Sequence, residues 1–175
     1  MKILRSATSR SLLALATVVA ATLAAAASLR ARDPAFDPAK FIDGARQAYE
    51  TIVRGYASGD RAALKPLLTP AVLASFETGI AAREIRGETE QVEFLHTPRA
   101  DLELASAEGD RAVAKVRFLA EIRSKVIPPE GEVTPGAPAE PHIEERRTAE
   151  HWTFERSLGA ADPNWVLARV EPANA

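Results

Sequence analysis

Few side chains in this sequence belong to the types that hold metals or act as nucleophiles. The 175 residues include three histidines, His96, His142 and His151, and no cysteine. No two of these histidines stand at the i, i+4 spacing that places two metal ligands on one face of a helix. Without cysteine, the chain forms neither disulfides nor thiolate metal sites. The sequence therefore predicts no metal site and no cofactor.

Carboxylates are frequent, but their neighbours are polar. Glu144-Glu145 is followed by Arg146-Arg147, which is typical of a solvated charge cluster. General acid–base catalysis instead needs a carboxylate in an apolar pocket, where burial raises its pKa. We find no Ser-His-Asp ordering and no glycine-rich phosphate loop. The sequence thus predicts no catalytic residues. An isomerase- or hydratase-like enzyme, which requires a buried acid, is the least favoured hypothesis.

Three aromatic residues near the C-terminus, Trp152, Phe154 and Trp165, are the candidate ligand-binding residues. They fall in two stretches with strand character. In one interpretation they line a cavity between the final two strands. In the other they pack against each other across those strands as part of the core, which is the commoner role for such residues.

Basic residues are concentrated before the body of the chain and at the start of its first predicted helix. Arg46 and Arg54 are expected to share a side of that helix with Lys40, and a plain solvated face explains them equally well. Basic groups near an anionic bilayer each contribute about 1 kcal/mol to binding. The candidate lipid-binding residues are Arg30, Arg32, Lys40, Arg46 and Arg54.

The charge is distributed unevenly along the chain. Residues 33–175 contain 17 Lys and Arg against 24 Asp and Glu, a net charge of −7. Such an acidic body repels phosphate backbones, so nucleic acid is not an expected partner. Residues 1–32 carry +5 with no acid, from Lys2, Arg5, Arg10, Arg30 and Arg32.

The N-terminal stretch from Ser11 to Leu29 has no charged residue. It is either a secretory signal peptide with small residues at Ala25–Ala27 for cleavage, or an uncleaved membrane anchor of about 19 residues. A mitochondrial transit peptide is a third, weaker interpretation. Arg30 and Arg32 follow at once, so flanking charge does not choose an orientation. We expect an anchor or signal peptide over residues 1–32 and one domain over 33–175.

The body begins with three helices. Asp37-Pro38 opens the first, with Asp37 as N-cap, and Gly59 is suited to end it. Asp60 can cap a short second helix. Thr69-Pro70 opens the third, which is expected to close at Gly87.

Period-two patterns follow the helices and predict four or five antiparallel strands. A long half-buried strand is expected over residues 112–122, with an apolar face free of Asp, Glu and His. Before it, Leu102 and Leu104 are expected on one face, and residues 127–141 are expected to form a loop. Two final strands are predicted near 148–156 and 164–170. Helices followed by strands indicate an α+β fold, with the helices on one face of a twisted sheet.

These segments together resemble the C-terminal domain of the 44-kDa subunit of the mitochondrial inner-membrane import translocase (TIM), and bacterial membrane-tethered relatives of that domain. The similarity covers residues 36–171, and its most specific part is the C-terminal pair of aromatic stretches. The matching residues are Gly44-Ala45, Ala48-Tyr49, Ile52, Gly59-Asp60, Leu64, Leu67-Leu68, Phe76, Ile80, Arg83, Arg117-Phe118, Trp152-Thr153-Phe154-Glu155-Arg156 and Asp162-Pro163-Asn164-Trp165.

The resemblance implies a nuclear transport factor two-like or cystatin-like cone, a curved antiparallel sheet wrapped round helices. It also implies an adaptor of protein transport or membrane-protein assembly at an inner membrane. Such an adaptor binds lipid and a protein partner (a translocase, chaperone or membrane-protein client) and faces the cytoplasm. Here only residues 33–37 separate the apolar stretch from the domain, so a chaperone-tethering segment has no counterpart. The alternatives are a periplasmic location after signal cleavage and a soluble domain that binds a small apolar ligand in its cone.

Overall fold

Four helices precede five strands in the computed structural model, which describes residues 7–130, 140–162 and 164–174, with side chains from Ala14 onward. This order confirms the predicted α+β class. The helices are α1 (Ala7–Arg30), α2 (Pro38–Ser58), α3 (Arg61–Leu64), which continues into a 3-10 turn at Lys65–Leu67, and α4 (Pro70–Ile85). The strands are β1 (Thr89–Phe94), β2 (Arg99–Glu108), β3 (Arg111–Ile127), β4 (His142–Ser157) and β5 (Val166–Pro172).

The predicted helix ends are confirmed by their capping contacts. The Oδ1 atom of Asp37 accepts hydrogen bonds from two backbone N–H groups in the first turn of α2, at 3.0 and 3.3 Å. Gly59 has φ 72°, the left-handed conformation that glycine adopts without steric cost, and α2 ends there. Asp60 caps α3 and Thr69 caps α4 through their side-chain oxygens.

One antiparallel sheet has β3 at its centre. Its first edge pairs with β2 along the first half of the strand and with β1 along the second half. Its other edge pairs with β4, which in turn pairs with β5. Along β3 the even-numbered residues from Ala112 to Ser124 are buried and the odd-numbered ones are half-exposed. The predicted alternation, with no charged group on the apolar face, is therefore confirmed.

Two strand predictions were wrong. Leu102 is buried, whereas Leu104 is 46% exposed, because a β-bulge between them breaks the alternation of faces. The fourth strand begins at His142 rather than at residue 148, since the long edge of β3 offers backbone partners to the charged segment as well. Glu144 to Arg147 are exposed on that strand, as expected of a solvated cluster. Of the predicted loop at 127–141, residues 131–139 lie outside the described part of the chain.

The core lies between α2 and the buried face of the sheet. The ring of Tyr49 stacks on Phe118 with 4.3 Å between centroids and contacts Trp152 at 4.6 Å. Its hydroxyl is hydrogen-bonded to Thr148 Oγ1 at 3.2 Å. Burial away from water disfavours the tyrosinate and raises the pKa of Tyr49 to about 12.

The helix α1 packs chiefly on β2, and its two halves differ in burial. Ala26 and Leu29, in the C-terminal half, have no exposed surface. Towards the N-terminus, Leu15, Val18 and Val19 are more than half exposed. Within the described part of the chain, no helix meets the length and hydropathy needed to cross a bilayer.

The buried hydroxyl of Tyr49 predicts a loss of stability at alkaline pH. The unfolded chain loses this proton near its ordinary pKa of about 10, and the folded chain loses it only near 12. Stability is therefore complete below pH 10 and falls as pH rises towards 12, by about 1.4 kcal/mol per pH unit from this group. Urea unfolding of the wild type and of Tyr49→Phe at pH 9 and pH 11 tests this. The free energy of unfolding of Tyr49→Phe should fall less from pH 9 to pH 11 than that of the wild type.

Absorbance titration provides an independent reading of the same group. The chain has two tyrosines, so Tyr56→Phe leaves Tyr49 as the only phenol. Tyrosinate formation in that variant should have its midpoint well above pH 10. A midpoint at 10 in the folded protein would contradict the burial of the hydroxyl.

Candidate functional site

An open cleft of about 560 Å³ lies between the N-terminal part of α2 and the ends of β4 and β5. We call it the aromatic cleft. Aromatic rings and small aliphatic groups form its floor, and charged and amide groups stand at its rim. The floor contains Phe36, Phe41, Gly44, Ala45, Ala48, Leu67, Phe154 and Trp165. The rim contains Asp33, Asp37, Lys40, Arg156 and Asn164.

The start of α2 positions two of these rings. Phe36 precedes the N-cap Asp37, and Phe41 is the fourth residue of the helix. These are the two positions of a hydrophobic staple, which fixes the direction in which a chain enters a helix. The two rings lie 5.5 Å apart, as a staple requires.

The end of the sheet supplies the opposing rings. Trp165 directly precedes β5, and its ring lies 4.8 Å from Phe41 and 6.0 Å from Phe36. Phe154 on β4 lies edge-on to Phe41 at 6.1 Å. These separations and tilts are those of favourable aromatic pairs. Helix and sheet are thus joined by rings whose remaining faces line the aromatic cleft.

An ion pair closes one end of the aromatic cleft. Arg156 Nη2 donates to Asp33 Oδ2 at 2.5 Å, and the two side chains are only 15% and 21% exposed. The guanidinium also lies over the ring of Trp165, 5.2 Å from its centroid. The Nε of Arg156 is buried and has no hydrogen-bond partner among the described residues. This pair ties the segment between α1 and α2 to the end of β4.

The polar groups of the aromatic cleft are suited to recognition. Of its two carboxylates, Asp37 caps α2 and Asp33 pairs with Arg156, so both already have structural partners. Lys40 forms no ion pair with any described residue and is exposed at the rim. Among the described residues, no cluster of three or more His, Cys, Asp or Glu could hold a metal ion. The arrangement can bind an apolar group with a negative charge beside it.

Comparison with known proteins decides the family. The sequence model of the Tim44-like domain family matches residues 22–172 of this chain. This chain belongs to the Tim44-like domain family. The predicted family and the predicted fold, a sheet in the cone arrangement of nuclear transport factor two-like proteins, are both confirmed.

A solved structure, the intermembrane space region of the chloroplast protein ARC6, is similar in fold. The two have a TM-score of 0.53 and 13% identity, over 77% of this chain and 97% of that one. At that identity the similarity shows the fold alone. A de novo designed β-sheet protein has a TM-score of only 0.29 and 14% identity, over 77% of this chain and 88% of that one. No curated protein matches this Tim44-like chain.

In this Tim44-like domain two of the three predicted aromatic residues line the cleft. Phe154 and Trp165 do so, whereas Trp152 is buried against Tyr49 and Phe118. The indole N–H of Trp152 donates a hydrogen bond to Glu150 at 3.0 Å, so both its ring and its polar group have partners within the domain. The core-packing interpretation holds for Trp152 and Phe154, which are only 3% and 2% exposed, and the cleft that Phe154 and Trp165 line lies against α2 rather than between the final two strands. Ligand binding by the aromatic residues stays a prediction.

The five predicted cations do not form one surface. Lys40 and Arg46 are six residues apart, and at 100° per residue their side chains leave α2 in different directions. Lys40 lines the aromatic cleft, whereas Arg46 Nε donates to the carbonyl of Pro98 at 3.0 Å. The expectation that Arg46 shares a side with Lys40 was therefore wrong, whereas Arg54, fourteen residues after Lys40, lies about 40° from it around the helix.

The other three cations also have separate surroundings. Arg54 pairs with Glu50 at 3.0 Å, and Arg32 donates to the carbonyl of Gly109 at 2.5 Å. Arg30 is exposed at the end of α1. Lipid binding by these five residues stays a prediction.

Two of the four rings that line the aromatic cleft and both members of its ion pair were not predicted from the sequence. Phe36 and Phe41 could have been found, because their positions around the Asp37 cap are the pattern of a staple. Asp33 and Arg156 could not, since 123 residues separate them and nothing in one segment signals the other.

We predict that the ion pair at the cleft stabilises the domain measurably. Asp33→Asn leaves the largely buried guanidinium of Arg156 without its counter-charge and should lower the free energy of unfolding by about 1–3 kcal/mol. The exposed pair Arg54–Glu50 is the matched control, and Glu50→Gln should change stability by less than about 0.5 kcal/mol. Urea unfolding measures both. If both substitutions lower the free energy of unfolding by the same small amount, the Asp33–Arg156 pair stabilises the domain no more than an exposed ion pair does.

Proposed function

We propose that this Tim44-like protein is a membrane-associated adaptor and not an enzyme. Its N-terminal apolar stretch holds the domain at an inner membrane, and the aromatic cleft binds an apolar segment of a protein partner. The observation that carries the proposal is the open cleft of about 560 Å³, floored by four aromatic rings.

The shape of the aromatic cleft favours part of a polymer over an enclosed small molecule. It is open to solvent rather than enclosed, so a segment of a larger chain can place its side chains in the cleft while the rest of the chain stays outside. Binding energy in protein interfaces is concentrated in a few aromatic or aliphatic anchors that fill such depressions. The rings of Phe41 and Trp165 are held by other rings and need little ordering when a partner binds.

The rim suggests the sequence character of the partner. Lys40 has no counter-charge among the described residues, whereas Asp33 and Asp37 are both engaged. A partner segment with an acidic residue beside its apolar anchor would pair with Lys40. We therefore propose a protein partner with an apolar, locally acidic segment, such as a translocase, chaperone or membrane-protein client.

The membrane part of the proposal is supported by the N-terminal sequence and the family. Ser11 to Leu29 is uncharged, and basic residues stand on both sides of it. We propose an uncleaved anchor with the domain facing the cytoplasm, and contact between anionic lipid and Arg30 and Arg32. The alternative remains a periplasmic domain after signal cleavage.

The non-catalytic part is supported by how the carboxylates are used. An isomerase or hydratase of this architecture needs an acid free to exchange a proton with its substrate. In the aromatic cleft, one carboxylate caps a helix and the other is paired with a guanidinium.

A soluble protein that binds a small apolar ligand is the second candidate function. The volume of the aromatic cleft falls within the range of small-molecule sites, about 300–1,000 Å³. Native mass spectrometry of the purified full chain separates the two candidates. A bound small apolar molecule at near-full occupancy would favour this second function over the adaptor.

Filling the cleft is predicted to abolish partner binding. Gly44 lines the cleft, and a Cβ added there would meet no atom within 4 Å, so Gly44→Leu places an aliphatic side chain at the cleft with room at its first carbon. Binding of a fluorescein-labelled peptide with apolar anchors and a flanking Glu should weaken at least about tenfold, measured by anisotropy. Stability should rise slightly, because glycine disfavours a helix interior by about 0.5–1 kcal/mol.

The control for this variant adds the same side chain elsewhere. Ala82→Leu changes an exposed position on α4, away from the cleft, and should bind the peptide like the wild type. Unchanged binding by Gly44→Leu, or an equal loss in Ala82→Leu, would reject the aromatic cleft as the binding site.

The anchor is tested by fractionation of cells that produce the full chain with a C-terminal topology reporter. We expect the intact chain in the membrane fraction after a carbonate wash, with the reporter active on the cytoplasmic side. Recovery in the soluble fraction of a chain lacking residues 1–27 would reject the anchor and support the exported alternative.

A further inference from the structure

A second apolar depression lies where α1 meets the body. It has a volume of about 480 Å³ and is formed by α1, the first turns of α2 and the beginning of β2, and we call it the β2 groove. Next to it, Ala26 and Leu29 of α1 have no exposed surface. Arg32, just after α1, donates to the carbonyl of Gly109 and ties the end of the helix to the far end of β2. Residues lining the β2 groove include Val18, Thr22, Pro38, Ile42, Ala100 and Leu102.

The other half of α1 is left in water. Leu15, Val18 and Val19 are 64%, 57% and 52% exposed, and Leu23 is 46% exposed. The helix is apolar on all sides, with no charged residue between Ser11 and Leu29. A helix of that kind is stable when it is surrounded by protein or by hydrocarbon. In the docked position only one face of its C-terminal half is buried, and Ala24, Ala27 and Ser28 on the other face are exposed.

The length of the uncharged stretch decides what α1 can do at a membrane. A hydrocarbon core of about 30 Å requires about 20 apolar residues at 1.5 Å each. The stretch from Ser11 to Leu29, which starts three residues before the side chains that the structure describes, measures about 28 Å, so a span would need all of it. Among the described side chains of α1, Thr22 is the first partly buried one, and Ala26 and Leu29 after it are fully buried. The part of the uncharged stretch before Thr22 measures about 16 Å, roughly half the required length. The helix therefore cannot span a bilayer and stay docked at once.

We propose that α1 occupies the surface of β2 as an internal ligand and leaves it when α1 spans a bilayer. The vacated surface, together with the β2 groove, then receives an uncharged, small-residue helix of a membrane-protein client. This inference rests on the proposed membrane anchoring. It adds that insertion of α1 into the bilayer is what exposes the surface of β2 to a client. Insertion transfers Leu15, Val18 and Val19 from water to hydrocarbon, so a membrane favours the released state.

The chemistry of the client is indicated by the helix that the surface already holds. The part of α1 that packs on β2 contains four consecutive alanines, Ala24–Ala27. Ala100 and Ala105 on β2 are equally small, and Ala105 is fully buried. Small residues on both sides let a helix approach closely, as they do between helices within membranes. A segment of a membrane protein has the same lack of charge and the same small residues.

Cross-linking of the full chain tests the exchange. The natural sequence has no cysteine, so Thr22→Cys with Asp101→Cys places two unique thiols that both line the β2 groove. A short bis-maleimide should join them in lipid-free protein. On vesicles of phosphatidylcholine and phosphatidylglycerol the cross-linked fraction should fall at least about fivefold. The pair Arg61→Cys with Glu84→Cys, within the body, should cross-link equally in both conditions.

A length variant provides the decisive control. Eleven apolar residues inserted after Ala21 add about 16 Å, lengthen the undocked stretch to about 33 Å and keep the helix faces in register to within about 20°. This variant can span and dock together, so its cross-link should persist on vesicles. A peptide copy of residues 14–30 that carries T22C should cross-link to vesicle-bound Asp101→Cys several-fold more than to the same chain with the insertion. Flotation measures anchoring separately in each sample.

The outcomes separate this inference from the proposed function. A chain that does not float with the vesicles overturns both. A chain that floats and keeps its Thr22–Asp101 cross-link overturns the exchange and leaves anchoring intact. Loss of the cross-link without capture of the peptide shows release of α1 but rejects the β2 groove as a client site. If the insertion variant fails to fold, Ala26→Leu, which overfills a fully buried position, should increase peptide capture without lipid.

Discussion

The contact of one face of α2 with the aromatic residues of the sheet determines the rest of the structure. Tyr49 stacks on Phe118 at 4.3 Å, and one and two turns earlier Ala45 and Phe41 continue the same buried face. Phe41 meets Phe154 and Trp165 at the sheet's end. There the rings of Phe41, Phe154 and Trp165 border the aromatic cleft. The cleft is therefore the unfinished end of the core, built from the same contacts that hold helix and sheet together.

Much of the fold was predictable because its signals are local. Asp37, Asp60 and Thr69 cap the helices that follow them, and a cap requires only a side-chain oxygen within three residues of the N–H groups that it satisfies. The alternation along β3 is equally local, since a strand turns successive side chains to opposite faces. The bulge after Leu102 was not predictable, because it depends on how β2 meets its partner rather than on its own residues.

The candidate site was predicted only in part, for the same reason. Phe154 and Trp165 were found from their strand context, yet nothing there separated them from Trp152, which does not line the cleft. The difference comes from what lies opposite. Trp152 contacts Tyr49 in the middle of α2. Phe154 and Trp165 instead contact Phe41 near the N-terminus of α2, where the helix begins. The pairing of Asp33 with Arg156 likewise exists only in the folded chain.

The N-terminal stretch shows how one sequence feature can meet two physical demands. Lack of charge from Ser11 to Leu29 is what a membrane requires of a span, and it is also what allows Ala26 and Leu29 to be buried against the domain. The family model begins at residue 22, inside this stretch, so part of the apolar segment matches the domain itself. Hydropathy alone cannot divide such a segment between bilayer and core, because both environments exclude water. The division depends on length, and a stretch just long enough for one of the two cannot satisfy both at the same time.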